Sequence, residues 1–192
     1  MAIITKNNFK NALCSMGFSE NDNVFSKKFP AYNCSMSVDF SIEKLIYPEE
    51  IKGRDRNDGF NAPENFVVFE CVNRLLEKGY RPEDIELERE WRFGHEQKSA
   101  RADICVSDFD KNTLLIIECK TFGREFDKAY KDTCMDGGQL FSYWQQERST
   151  KWLVLYASGI DGDAISYKAP TINCTDDPNI VYGIYKAIID FR

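Results

Sequence analysis

The hydrophobic pattern is clearest after residue 62, where a helical period is followed by strand patterns. The segment PENFVVFECVNRLLEKGY starts with Pro63, a favoured first residue of a helix, and stops at Gly79. Its apolar positions recur every three or four residues and share one face: Val67, Val68, Cys71, Leu75 and Leu76. The spacing therefore predicts an amphipathic helix that starts at Pro63 and ends before Gly79.

Three strand patterns follow this helix. IELEREWRF, residues 85–93, predicts a strand that bends around Trp91, and a polar hairpin loop at 94–100 leads to RADICVSD, residues 101–108. A short DKN turn then connects to LLIIECKT, residues 114–121. Residues 84–121 thus predict a meander of antiparallel strands.

Further elements are predicted on both sides of this region. GGQLFSYWQQE, residues 137–147, predicts a second clear helix after a polar, helical stretch, and KWLVLYAS, residues 151–158, predicts a fourth strand. A short helix is predicted over residues 7–17. Extended or apolar segments lie at residues 23–29, 35–42, 165–172 and 180–191. The order helix, three strands, helix, strand is that of an α/β fold.

The composition favours a single domain without membrane contact. The 192 residues support one substantial core, and no apolar run approaches the roughly 20 residues of a membrane span. The first residues lack the features of a secretory signal, and the seven cysteines include no C-x-x-C pair. We therefore expect a cytoplasmic protein with reduced thiols. Because the amphipathic pattern continues to the last residues, we expect one module of a longer polypeptide.

The net charge is unfavourable for a chain that holds nucleic acid alone. It is −6 with a pI near 5.0, whereas DNA binding by counterion release requires many lysines and arginines. A duplex would be held by another domain or subunit. This chain would then present an acidic, metal-loading site.

Two charged residues end the apolar run LLIIECK. Side chains alternate along a strand, so Glu118 and Lys120 share one face, and the DKN turn brings them beside the strand that carries Asp103. Two carboxylates, a backbone carbonyl such as that of Cys119, and water form an oxygen set suited to Mg²⁺, with Mn²⁺ as a substitute. The adjacent lysine could hold or deprotonate an attacking water. The alternative is a sheet edge where these side chains pair in solvent.

Three ordered motifs resemble those of PD-(D/E)xK nucleases: Arg101-Ala102-Asp103-Ile104, Ile117-Glu118-Cys119-Lys120 and Gln139-Leu140-Phe141-Ser142-Tyr143. More closely, residues 63–159 resemble the N-terminal nuclease domain of type I restriction enzyme R subunits and related fused restriction-modification proteins. The resemblance implies a restriction-endonuclease-like core, a mixed β-sheet flanked by helices, and Mg²⁺-dependent hydrolysis of DNA phosphodiesters. Ala102 replaces the proline of the pattern, a departure that leaves the chemistry intact.

The resemblance also implies roles for five residues. Asp103 and Glu118 match its metal-binding carboxylates and Lys120 its catalytic lysine. Gln139 and Tyr143 match the pair that the family places beside the site. Their spacing of four puts them on one helix face.

A further carboxylate often comes from the helix before the sheet in this family. Glu64 and Glu70 both qualify by residue type. Glu64 is in phase with the apolar face, whereas Glu70 falls on the polar side of the helix with Asn73 and Glu77. We therefore expect Glu64 to be the metal-binding residue.

The resemblance further sets expectations for domains and partners. Residues 63–159 would be the catalytic core, residues 1–62 an N-terminal extension packed on it, and residues 160–192 C-terminal elements. Double-stranded DNA would be the substrate. An ATP-dependent motor and methyltransferase and specificity domains or subunits would be the partners. Because no G-x-x-x-x-G-K-[ST] occurs, the motor would lie on another segment.

Other interpretations remain open. A nuclease specific for branched or single-stranded nucleic acid would keep the fold and change the substrate. A non-catalytic interaction module would keep the fold as a scaffold. Zinc or thiol chemistry has little support, because His95 is the sole histidine and the alternation places the Cys119 thiol on the core side.

Overall fold

The computed structural model describes residues 1–55, 58–92, 99–162, 164–175 and 188–190. Its helices are α1 (Lys6–Ser15), α2 (Pro63–Glu77), α3 (Arg124–Asp136) and α4 (Gly138–Gln146). Its strands are β1 (Ser19–Asn21), β2 (Val24–Phe29), β3 (Cys34–Asp39), β4 (Lys44–Ile46), β5 (Ile85–Arg92), β6 (Ser99–Ser107), β7 (Thr113–Cys119), β8 (Trp152–Asp161), β9 (Ala164–Lys168), β10 (Pro170–Asn173) and β11 (Ile188–Asp190). Among these described residues, no helix has the length and apolar character needed to cross a membrane.

The described strands form two sheets. The smaller is antiparallel in the order β1-β2-β3-β4. The larger runs β11-β10-β8-β7-β6-β5, and β9 pairs with β8 outside this path. Within it, β7 and β8 are parallel while the other described pairs are antiparallel, and α3 and α4 form the connection that a parallel pair requires. The predicted α/β fold with a mixed sheet flanked by helices is confirmed, and it is compatible with a restriction-endonuclease-like core.

Two hydrophobic clusters cover the two faces of the larger sheet. The first joins α1, the smaller sheet and α2 to one face, and includes Phe9, Phe66 and Ile117. The second joins α3 and α4 to the opposite face, and includes Leu140 and Ile116. The strand β7 is therefore covered on both sides, which explains its continuous apolar run.

Most predicted elements lie where the periodicity places them, and the meander of β5, β6 and β7 is confirmed. The predicted bend of β5 at Trp91 is wrong by three residues. Glu88 has a φ of 54°, and the ladder with β6 is interrupted opposite Asp103 without a change of register. Residue 93 of the first predicted strand, residues 94–98 of the predicted hairpin loop, and residues 180–187 and 191 of the closing segment lie outside the described residues.

The segment before α2 covers one edge of the larger sheet. The backbone of Lys52 accepts a hydrogen bond from the N–H of Leu87 at 2.8 Å and donates one to the carbonyl of Ile85 at 3.3 Å. Gly53 follows with a φ of +71°, and a Cβ added there would lie 2.0 Å from the carbonyl oxygen of Leu87. Only glycine therefore fits this close approach of two backbones.

Gly53→Ala should destabilise the fold by about 2 kcal/mol or more, because it adds a backbone clash to the cost of a left-handed alanine. Gly17→Ala is the matched control, since Gly17 also has a positive φ but has open space where a Cβ would lie. The control should cost about 1 kcal/mol. Urea denaturation of both variants measures the difference, and equal losses would contradict the packing of residue 53 on β5.

Candidate active site

The side chain of Asp103 joins β6 to β7. Ile104 pairs with Ile117, and beyond this pair the backbone N–H of Cys119 donates to Asp103 Oδ2 at 2.6 Å. The carboxylate thus satisfies a donor at the end of the ladder. The strand ends are held together there by a side chain.

Lys120 lies between two carboxylates. Its Nζ is 2.5 Å from Oε1 of Glu118 and 3.1 Å from Oε1 of Glu64. Glu118 comes from β7, and Glu64 comes from the first turn of α2, as the phase of that helix predicts. The side chain of Glu118 is 4% exposed and that of Glu64 is 37% exposed, so the group extends from the protein interior to its surface.

Tyr143 fixes the second oxygen of Glu118. Its hydroxyl lies 2.9 Å from Oε2 of Glu118 and 2.7 Å from the carbonyl oxygen of Arg101, so the two acceptors share its proton. Gln139, one turn earlier on α4, donates to the Tyr143 hydroxyl at 3.3 Å. The Trp91 ring stacks on the Tyr143 ring with centroids 5.7 Å apart. Helix α4 therefore contributes an oriented hydroxyl and an exposed amide.

The electrostatics of this group show an excess of negative charge. Burial raises the pKa of Asp103 well above its usual range, and the charges of Glu118 and Glu64 raise it further. Burial also raises the pKa of Glu118, although Lys120 and Tyr143 favour its charged form. For Lys120, burial lowers the pKa, but the three carboxylates outweigh this effect and the net direction is upward. The lysine is therefore an ammonium, and its single positive charge faces three carboxylates.

Part of this group lines an open cleft. Its volume is about 510 Å³, and Glu64, Glu118 and Lys120 form one wall. Helices α3 and α4 supply further lining residues: Glu125, Lys128, Asp132, Thr133 and Gln139. A substrate entering from solvent would reach the carboxylates directly.

The donor chemistry of the site fits a hard divalent cation. Asp103, Glu118 and Glu64 offer carboxylate oxygens, and Cys119 offers a backbone carbonyl. In the described part of the chain, no group of three or more acidic, cysteine or histidine side chains is arranged so that it could hold a metal ion by itself. Mg²⁺ commonly uses one or two carboxylates and keeps several waters, so Asp103 and Glu118 are the residues that could hold Mg²⁺ or Mn²⁺.

Comparison with known families gives a match to one region of the chain. Residues 63–158, half of the chain, match the family described as the type I restriction enzyme R protein N terminus. The chain belongs to this family. No curated protein matches it. The matched region of this R protein N-terminal domain contains every residue of the candidate site, from Glu64 on α2 to Tyr143 on α4.

The expected polar position of Glu70 on the surface of this R protein domain is wrong. Glu70 is fully buried and accepts hydrogen bonds from Arg74 at 2.5 Å and from the Tyr156 hydroxyl at 2.5 Å. The error arises because α2 is covered on both sides. The smaller sheet supplies Lys27 to Asn73, and β8 supplies Tyr156 to Glu70.

The Cys119 thiol lies away from the carboxylates. It is fully buried beside Cys71 in the first hydrophobic cluster, and burial followed by contact with Cys71 raises its pKa. The predicted alternation, which places the Cys119 thiol on the core side of the strand, is confirmed. Only the backbone carbonyl of Cys119 is available as a candidate metal ligand.

Glu88 could not be singled out from the sequence, where it is one polar residue of a strand pattern. Its backbone is in the left-handed region, its side chain is buried, and its carboxylate pairs with Arg101 at 2.6 Å. Ile85 and Leu87 before it contact the first cluster, whereas Trp91 after it contacts the second. The strand β5 thus exchanges its faces at Glu88, the residue opposite Asp103. The left-handed backbone of Glu88 costs about 1–3 kcal/mol, and this strain lies beside the site.

Asp103→Asn should raise the melting temperature without divalent metal by about 2–4 °C, the shift that about 1 kcal/mol gives in a domain of this size. The variant removes a buried charge repelled by Glu118 and Glu64, and an amide oxygen can still accept from Cys119. Mn²⁺ should stabilise the unmodified chain and leave the variant unchanged.

Differential scanning calorimetry with and without Mn²⁺ measures both effects. Asp110→Asn, at an exposed position in the turn between β6 and β7, is the control and should respond to Mn²⁺ like the unmodified chain. A lower melting temperature for Asp103→Asn in the absence of metal would contradict this account of the site's charge.

Proposed function

We propose that this chain is the nuclease domain of a type I restriction system and hydrolyses DNA phosphodiesters with a divalent metal ion. One observation carries the proposal: the Lys120 ammonium bonds to the carboxylates of Glu64 and Glu118 at an open cleft, and the buried carboxyl of Asp103 lies close enough to interact with all three. A group of three carboxyls and one ammonium, partly withdrawn from water, favours a divalent cation, because the cation would stabilise the ionised carboxylates that burial and mutual repulsion disfavour. Membership of the R protein family supports DNA as the substrate.

Asp103 and Glu118 would hold Mg²⁺, or Mn²⁺ in its place, with Glu64 and the Cys119 carbonyl as further donors. When bound, such an ion lowers the pKa of a coordinated water and stabilises the charge that develops on the phosphate. All four groups belong to α2, β6 and β7, which share one hydrophobic cluster. The donors are therefore fixed by the packed core.

Lys120 would hold the attacking water and stabilise the developing negative charge. Its raised pKa favours the ammonium form, which donates hydrogen bonds, over a neutral amine that would accept the proton of water. Tyr143 would hold Glu118 in place through the oxygen that Lys120 leaves free. Gln139, exposed at the cleft, would contact the nucleic acid.

The proposed domain organisation and setting follow from this function. Residues 63–159 would form the catalytic core, residues 1–62 the extension packed on it, and residues 160–192 the C-terminal elements of one domain. The first hydrophobic cluster supports the packed extension, because it joins Phe9 and Phe25 to Phe66 and Ile104. Double-stranded DNA, an ATP-dependent motor and methyltransferase and specificity partners in the cytoplasm would complete the system.

Lys120→Met should reduce DNA cleavage by about 100-fold or more, because it removes a charged donor that acts on the reacting phosphate or water. Methionine nearly matches the aliphatic part of the lysine side chain, so circular dichroism should show a folded protein. Lys28→Met, an exposed position on β2, is the control. The assay is nicking of plasmid DNA with Mn²⁺ at high protein concentration.

Equal cutting by Lys120→Met and the unmodified chain would contradict the role of the lysine. A chain that neither cuts DNA nor binds Mn²⁺, shown by anomalous scattering from crystals soaked in Mn²⁺, would contradict the proposed function. That result would favour the non-catalytic scaffold.

A further inference from the structure

One face of α3 carries three cations beside the cleft. Arg124, Lys128 and Lys131 are spaced by four and three residues, so they form a single stripe along the helix. All three are exposed, and Lys128 also lines the cleft that contains Glu118 and Lys120. The stripe therefore borders the candidate active site.

A fourth cation extends this surface from the larger sheet. Lys168 ends β9, and its Nζ lies 5.1 Å from the ring centroid of Phe122 and 5.5 Å from that of Phe126. Phe126 belongs to α3, so Lys168 lies near the N-terminal end of the stripe. We name Arg124, Lys128, Lys131 and Lys168 the cationic rim.

The four cations of the cationic rim form no ion pair within the described residues. The same helix also carries the acidic residues Glu125, Asp127 and Asp132, so its overall charge is mixed. Glu125 accepts a hydrogen bond from Thr121, and Asp132 lines the cleft. Many other cations of the chain are paired, for example Lys27 with Glu77 and Arg81 with Asp84.

We propose that the cationic rim binds the phosphate backbone of duplex DNA next to the scissile bond. This inference rests on the proposed function and names the surface that holds the substrate. At 1.5 Å per residue, the three cations of α3 span about 10 Å along the helix, which matches about three phosphates of one strand at 3.4 Å each.

The cationic rim also reconciles DNA binding with an acidic chain. Charges on distant surfaces are screened beyond about 8 Å at physiological salt, so the net charge of −6 matters less at the cleft than the local charges. Positive charge at the rim would attract the backbone. The carboxylates in the cleft would remain available for the metal ion.

The test compares two triple variants that lower the net charge equally. Arg124→Gln/Lys128→Gln/Lys131→Gln removes the α3 part of the rim. Lys28→Gln/Lys52→Gln/Lys78→Gln removes three exposed lysines that lie outside the cleft lining and form no ion pair within the described residues. The probe is a fluorescent 20-base-pair duplex in Ca²⁺, and fluorescence anisotropy is measured between about 50 and 200 mM salt.

The rim variant should bind the duplex at least tenfold more weakly than the unmodified chain at about 50 mM salt. The slope of log Kobs against log salt should be less negative by about 2–3, because each phosphate contact contributes about 0.9 to this slope. The affinity of the control variant for the duplex should stay within twofold of that of the unmodified chain. Equal losses in both variants, an unchanged slope, or no binding by the unmodified chain would overturn the rim proposal.

Mn²⁺ binding separates this proposal from the proposed function. The rim variant should bind Mn²⁺ as the unmodified chain does in isothermal titration calorimetry, because it leaves Asp103 and Glu118 in place. Loss of metal binding in the rim variant alone would mean that the stripe supports the metal site and would overturn its role as a separate surface. Absence of metal binding in the unmodified chain would instead count against the proposed function.

Discussion

The placement of three carboxylates and one ammonium at the end of a strand with an apolar core is the constraint on which this structure depends. Each neighbouring element supplies part of the compensation. The backbone N–H of Cys119 donates a hydrogen bond to Asp103, and the Tyr143 hydroxyl donates one to Glu118. The Lys120 ammonium donates hydrogen bonds to Glu118 and Glu64. The elements α2, β6, β7 and α4 are thereby tied together through polar contacts as well as through packing. The remaining negative charge suits the binding of a cation.

A second polar network holds the scaffold behind the site. Tyr156 on β8 donates to the buried Glu70 of α2, while its backbone carbonyl accepts from the N–H of Lys120. Tyr156 therefore contacts both the helix that carries Glu64 and the strand end that carries Lys120. A buried pair such as Glu70 with Arg74 gives little net stability, but breaking it leaves an uncompensated charge, so the orientation of α2 is strongly specified.

The periodic patterns explain why so much of the site could be predicted. Alternation in β7 places Glu118 and Lys120 on one side, and the spacing of Gln139 and Tyr143 places them on one face of α4. The phase of α2 places Glu64 on the face of the helix that points toward the sheet. These relations are local, since each depends on residues a few positions apart within one regular element. The sequence motifs could therefore identify the candidate residues, and the family match covers the same region.

The sequence by itself determined the α/β order, the meander and the faces of its regular elements, because the helical and strand periods fix which side chains share a side. The tertiary structure alone decided what covers each face. Glu70 is buried because α2 lies between two sheets. The strand β5 exchanges its faces at Glu88, where its long-range ladder with β6 is interrupted opposite Asp103. Lys168 joins the stripe on α3 because β9 returns beside it. Such contacts join residues far apart in the chain, so no local period encodes them.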